Sequence, residues 1–218
     1  MNSKKISFAF ISLALFCLIA GLCFGATGTF QYINPSFLKQ ELSFQQIRPL
    51  HVFLVTQFIW CAASGGLYYY LTVINNKLYS NVLGGIHFFL QLFCILAAVI
   101  DFFGNRFSGR EYLEFPLSLS FMMIAGWVCC LVNFIGTIRS RPERYSISTW
   151  SWLTGILFFI ITLTESSLWS LHHFNDNIVR DVTIQWKALG SMVGAWNMLI
   201  YGSAIRTFDR KIMDISFG

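Results

Sequence analysis

Six runs of apolar residues, each nearly free of charge, divide this chain, at about 8–26, 51–71, 82–102, 116–138, 149–171 and 189–205. A hydrocarbon core about 30 Å thick needs roughly 20 helical residues to cross it, because each residue rises about 1.5 Å. The pattern predicts an all-α integral membrane bundle of about six transmembrane helices. No Pro/Gly/Ser linker, low-complexity stretch or long polar insertion interrupts it, so 1–218 is read as a single membrane domain. No internal repeat suggests the inverted halves of a transporter. The last run is the shortest. The first has an alternative reading as a signal peptide, because Lys4 and Lys5 precede it and the small residues Gly25 and Ala26 end it. Against that, the run from Ile6 to Phe24 is longer than a usual signal core.

Composition narrows the class. Hydrophobic residues make up 56% of the chain and charged ones 11%, with mean hydropathy +0.61. A soluble domain carries about 25% charged residues, so this surface belongs in lipid. Lysine and arginine then set the orientation, because cytoplasmic loops carry their excess. With the amino terminus inside, the inner side holds nine: Lys4, Lys5, Lys77, Arg139, Arg141, Arg144, Arg206, Arg210 and Lys211. The outer side holds six, Lys39, Arg48, Arg106, Arg110, Arg180 and Lys187, which makes both termini cytoplasmic in a multi-pass inner-membrane protein. The net charge of +5 is thus mostly a topology signal, and with no basic patch no nucleic-acid partner is expected. Cys17, Cys23, Cys61, Cys94, Cys129 and Cys130 all fall inside the runs, without zinc-ligand spacing, and are read as apolar packing residues.

Ionisable side chains within a span are costly and mark candidate sites. His51 follows Arg48-Pro49-Leu50, with the proline expected in the first helical turn, near the outer surface. Its face continues through Val55, Phe58, Ala62, Gly65 and Gly66, a stripe small enough for another helix or a flat cofactor to approach. From these residues alone, His51 is either an interfacial hydrogen-bonded histidine or a ligand. His87 has Gln91 one turn along and is read as structural, the two sharing a polar contact between helices. Asp101 lies near the outer end of the third run. Glu165 is either a neutral carboxyl bonded to its neighbours or a proton- or ligand-contacting one. His172 and His173 diverge by about 100° on a helix, do not suit one ion, and are read as interfacial. Gly190 and Gly194, with Asn197 and Tyr201, form a helix-packing seam. No Ser/His/Asp arrangement or phosphate-binding loop occurs, and no residue is assigned a catalytic role.

Three segments together resemble the catalytic subunit I of the heme-copper oxidase superfamily, in the branch of nitric oxide reductases and cbb3-type cytochrome c oxidases. They are Arg48-Pro49-Leu50-His51 with Gly65-Gly66-Leu67-Tyr68-Tyr69-Tyr70, similar to the family's second helix; Gly109-Arg110-Glu111-Tyr112-Leu113-Glu114-Phe115-Pro116, similar to the outer loop before its fourth; and Asp181-Val182-Thr183-Ile184-Gln185-Trp186-Lys187, similar to the start of its sixth. A full member has about twelve helices, so this chain corresponds to the amino-terminal half.

The resemblance implies that His51 is one axial ligand of a low-spin heme b near the outer face. It implies that Arg110 meets heme propionates through paired hydrogen bonds. Glu111, or equally Glu114, is similar to an acidic residue that helps hold calcium beside the hemes. The family's other axial ligand and the histidines of its binuclear centre come from later helices. His172–His173 sits too early to be the family's metal-site pair, and an apolar or small residue, Leu189 or Gly190, stands where the sixth helix usually presents a metal-ligating histidine. No copper or non-heme iron site is identifiable, so reduction of oxygen or nitric oxide by this chain alone is not expected. The function implied is a heme-binding component of a respiratory electron-transfer complex in the membrane, with a partner subunit or separately encoded second half, and cytochrome c or quinol as electron donor. Two alternatives stand beside it: a non-catalytic six-helix scaffold binding no redox metal, and a truncated or split-gene product, which fits the ending from Phe208 to Gly218.

Overall fold

The computed structural model describes residues 2–75, 77–108, 110–139 and 146–216. Gly109 of the outer-loop motif and Arg141 and Arg144 of the topology count lie outside these residues, as do the side chains of Arg210 and Lys211. The described residues form α1 (Ser3–Ile33), α2 (Phe44–Asn75), α3 (Asn81–Phe103), α4 (Leu117–Arg139), α5 (Ile147–Ser167), the one-turn α6 (His172–Asn175) and α7 (Ile178–Ser216), with a 3-10 turn at Leu168–Ser170. Among the described residues, α1 to α5 are long and apolar enough to cross a membrane. The expected sixth run lies inside α7, whose 39 residues also include polar turns.

Helix ends follow local chemistry. The Asn2 side chain accepts from the Lys5 amide at 2.9 Å and caps α1. At the start of α2, the Gln46 side chain accepts from the Ser43 amide at 3.0 Å, one half of a capping box. That motif corrects an expectation: α2 begins at Phe44, so Pro49 lies inside the helix rather than in its first turn. The fifth run is also shorter than expected, because α5 ends at Ser167 and Leu171 is extended. The link before α3 is tied to α4, with the Tyr79 amide donating to Thr137 Oγ1 at 2.9 Å and the Ser80 amide to Asn133 Oδ1 at 3.0 Å.

The helices expose apolar side chains and bury polar ones. On α3, Val82, Ile86, Phe89, Phe93, Leu96 and Ile100 form an exposed stripe, while His87 and Gln91 face inward. This suits lipid outside and a hydrogen-bonded interior. The core is aromatic: Trp127 of α4 stacks on Phe159 of α5 at 4.2 Å and 8°, and Trp60 of α2 meets the same phenyl ring edge-on.

Two seams organise the bundle. Along the antiparallel α1–α2 pair, Gly28 faces Ile47, Gly25 faces His51, Gly21 faces Val55, and Ile11 faces Gly65. In the α5–α7 seam, a Cβ on Gly155 would lie 2.8 Å from Leu199, and one on Gly202 would lie 2.7 Å from Trp152. The Gly190–Gly194 pair is not that seam: a Cβ on Gly190 meets nothing within 4 Å, and one on Gly194 meets Phe158 at an ordinary 3.4 Å. Gly155→Val therefore destabilises the protein by about 1–3 kcal/mol through overpacking. Gly190→Ala stays within about 0.5 kcal/mol of the wild type. Thermal unfolding in detergent checks both, and equal effects would refute the seam assignment.

Candidate functional site

His51 sits on α2 with its ring laid across α1. Its Nδ1 lies 2.8 Å from the Gly21 carbonyl oxygen. A carbonyl oxygen can only accept, so Nδ1 carries the proton and donates it. That fixes the tautomer and leaves the lone pair on Nε2, the arrangement a metal-binding histidine uses, in which a backbone acceptor orients the ring through the other nitrogen. The ring fits because Gly25 has no side chain: a Cβ there would lie 2.7 Å from Nδ1. The ring is half-buried.

The small stripe on α2 serves packing between helices rather than a flat cofactor. Gly65 receives Ile11, and its carbonyl accepts from Ser7 at 2.8 Å. Gly66 faces Ser203 of α7. The small residues that seat His51 are instead on α1, at Gly21 and Gly25. The sequence signal for this surface is the spacing of Gly21, Gly25 and Gly28 at four and three residues.

Above His51, charged side chains join the outer ends of the helices. Arg48, one turn before His51, pairs with the buried Glu114. Burial raises the Glu114 carboxyl above its ordinary range; Arg48 opposes that rise, and Glu111 adds to it. Arg110 is engaged by Asp181 at 2.7 Å and lies over the Trp169 ring at 4.9 Å, so the arginine expected to meet propionates already has an anionic and an aromatic partner. Arg106 pairs with Asp101 at 2.5 Å. An open cleft of about 560 Å³ lies among Phe44, Arg48, Phe107, Glu111, Glu114 and Gln185. Among the described residues, no three His, Cys, Asp or Glu side chains come together as a metal-binding group.

The other candidates have their own partners. His87 is buried, bonds Tyr68 through Nδ1 at 3.1 Å, and is packed by Phe10 and Trp127. Its expected contact with Gln91 is absent from the described hydrogen bonds, because Gln91 donates instead to Gln57 of α2. Glu165 pairs with Lys187 at 2.7 Å, an ion pair that neither sequence-based alternative included. His172 and His173 are exposed on α6, and Arg180 donates to the His173 carbonyl at 2.9 Å. The six cysteines are free thiols.

This architecture has known counterparts. Residues 5–208 match the family model described as Cytochrome C and Quinol oxidase polypeptide I. The chain belongs to this family. Among its curated relatives, cytochrome c oxidase subunit 1 of Rhodobacter capsulatus is 27% identical over 163 residues, which cover 71% of this chain and 28% of the relative. A cytochrome c oxidase subunit 1 homolog of Agrobacterium tumefaciens (strain T37) is 28% identical over 150 residues, covering 66% of this chain and 27% of the relative. The chain thus spans little more than a quarter of the length of these relatives. It is a multi-pass membrane protein of the heme-copper oxidase subunit I superfamily.

The Arg48–Glu114 pair gives a pH-dependent expectation. A carboxyl whose folded pKa is raised binds its proton more tightly in the folded state, so stability falls as pH rises from the unfolded pKa through the folded one. Removing Arg48 removes the charge that opposes the rise, which widens that window. Arg48→Met therefore loses stability more steeply than the wild type between about pH 5 and about pH 8. Thermal unfolding at the two pH values checks this; parallel slopes would show that Arg48 does not compensate Glu114.

Proposed function

We propose that this chain is a heme-b-binding component of a respiratory electron-transfer complex in the cytoplasmic membrane. It crosses six times as one membrane domain, with α7 as the sixth span and both termini cytoplasmic. A partner subunit or separately encoded second half supplies the second axial ligand and the binuclear centre. The observation that carries this reading is His51, with Nδ1–H fixed on the Gly21 carbonyl and Nε2 left with its lone pair.

The donor set fits one axial position. Imidazole nitrogen suits heme iron, and a bound heme would supply one-electron redox chemistry. His51 would hold the iron through Nε2, while the Gly21 carbonyl keeps the ring oriented and raises its basicity. His87 is not offered as the other ligand, because its ring is enclosed and bonded to Tyr68. Arg110 would meet a propionate by exchanging its ion pair with Asp181, with Trp169 keeping the guanidinium in place. Glu111 beside Glu114 is the place for a calcium ion, although Arg48 already neutralises one of the two carboxylates. The resemblance of its motifs to nitric oxide reductases and cbb3-type oxidases supports that branch as the proposed one, with cytochrome c or quinol as the proposed donor. The competing reading, a scaffold without a redox metal, is favoured by the Arg110–Asp181 pair, which leaves the arginine neutralised without any propionate.

A reduced-minus-oxidised visible spectrum of the protein, expressed with ample heme and purified in mild detergent, tests the proposal. A b-type signal is expected in the wild type and none in His51→Ala. Gly25→Val keeps the ligand but displaces the ring from its carbonyl, so heme affinity drops by about 10–100-fold, the usual weight of a lost orienting hydrogen bond. A signal that survives His51→Ala would overturn the assignment, and folded protein without heme would favour the scaffold.

A further inference from the structure

We propose that the groove between the first turns of α1 and the last turns of α2 binds one anionic phospholipid from the leaflet that holds the amino terminus. The groove encloses about 790 Å³ and is lined by Lys4, Ser7, Phe8, Ile11, Tyr69 and Val73, with Thr72 at its back. Its hydroxyls are divided by use. Ser7 is spent on the Gly65 carbonyl and Thr72 on the Tyr68 carbonyl, each at 2.8 Å. The polar groups left for a ligand are the Lys4 ammonium and the Tyr69 hydroxyl, both on exposed residues.

Charge selects the occupant. The first turn of α1 contains Lys4 and Lys5 and no acidic residue, and α1 and α2 together contain no Asp or Glu. Two lysines with no carboxylate on either helix attract an anion. A second copy of this chain would bring two more lysines to the same place. A lipid phosphate supplies the missing charge, and its acyl chain has a path to follow: Phe8, Ile11, Leu15, Ile19 and Leu22 are exposed at three- and four-residue spacing along α1. That stripe covers about 21 Å at 1.5 Å per residue, close to the depth of one leaflet. The inference rests on α1 lying in the membrane and is independent of heme.

Native mass spectrometry of the full chain, released from detergent with equal amounts of phosphatidylglycerol and phosphatidylcholine of the same acyl chains, tests it. One retained phosphatidylglycerol is expected, preferred by about fivefold for each lysine engaged. Lys4→Gln/Lys5→Gln should abolish the preference, while Lys39→Gln in the α1–α2 loop should leave it, and inorganic phosphate should not compete. Equal retention of the two lipids, a preference that survives the double variant, displacement by free phosphate, or a lipid-free dimer would each overturn the proposal.

Discussion

The close antiparallel contact of α1 with α2 is the constraint on which the rest depends. Within a bilayer, helices gain no hydrophobic energy from leaving lipid for one another, so they associate through van der Waals contact and the few hydrogen bonds that small residues allow. Here Gly21, Gly25 and Gly28 remove side chains from one face of α1, and α2 fills the space with Val55, His51 and Ile47. The histidine is the only polar member of that row. It can be there because the bare backbone of α1 offers a carbonyl in reach. The same closeness that packs the two helices therefore fixes which imidazole nitrogen carries the proton.

Polar groups deeper in the bundle are arranged by the same logic but reach a different end. Gln91 spends itself on Gln57, Tyr68 on His87, and Asn133 on the Ser80 amide, so each polar side chain ties one helix or link to another. Each of these contacts uses one polar atom of its side chain, and His87 Nε2, Gln57 Nε2 and Asn133 Nδ2 stay buried without a partner among the described residues. His51 differs in its partner, which is a backbone carbonyl already bound into a helix rather than a side chain. His87 also has a ring nitrogen without a partner, so what separates the two histidines is access: the His87 ring is fully buried, whereas that of His51 is half-buried.

Apolar runs made the spans legible: the expected third and fourth, 82–102 and 116–138, differ by only a residue at each end from Asn81–Phe103 and Leu117–Arg139. The start of α2 was seven residues off, because Gln45, Gln46 and Arg48 are polar and hydropathy sees a helix only where it enters lipid; the cap formed by Ser43 and Gln46 was the better signal. The tight seam at Gly155 and Gly202 leaves no pattern in the sequence because its glycines are on different helices, whereas Gly190 and Gly194 form a recognisable pair on one helix yet meet little. The Arg48-Pro49-Leu50-His51 motif marks His51 as a candidate in the sequence. Its carbonyl partner is not marked, since every residue has a carbonyl and only the packing of two helices selects Gly21. The ion pairs of Arg110 with Asp181 and Glu165 with Lys187 were hidden for a related reason: each joins residues more than twenty positions apart.

The outer ion pairs bear on how such a fold could accept a redox group at all. Arg48, Arg110 and Lys187 each hold a carboxylate from a different segment, so the ends of α2, α5 and α7 and the loop before α4 are joined by charges in addition to the apolar packing of Leu113 and Phe115. A charge-assisted bond to a carboxylate can be exchanged for one to another carboxylate with little change in geometry, because the guanidinium fork suits both equally. If the chain binds heme as proposed, Asp181 occupies, in chemical terms, the place a propionate would take on Arg110. The arrangement keeps the arginine oriented over Trp169 and neutralised in the absence of an acidic ligand, and it makes accommodation of one a substitution between like groups rather than the desolvation of a bare cation.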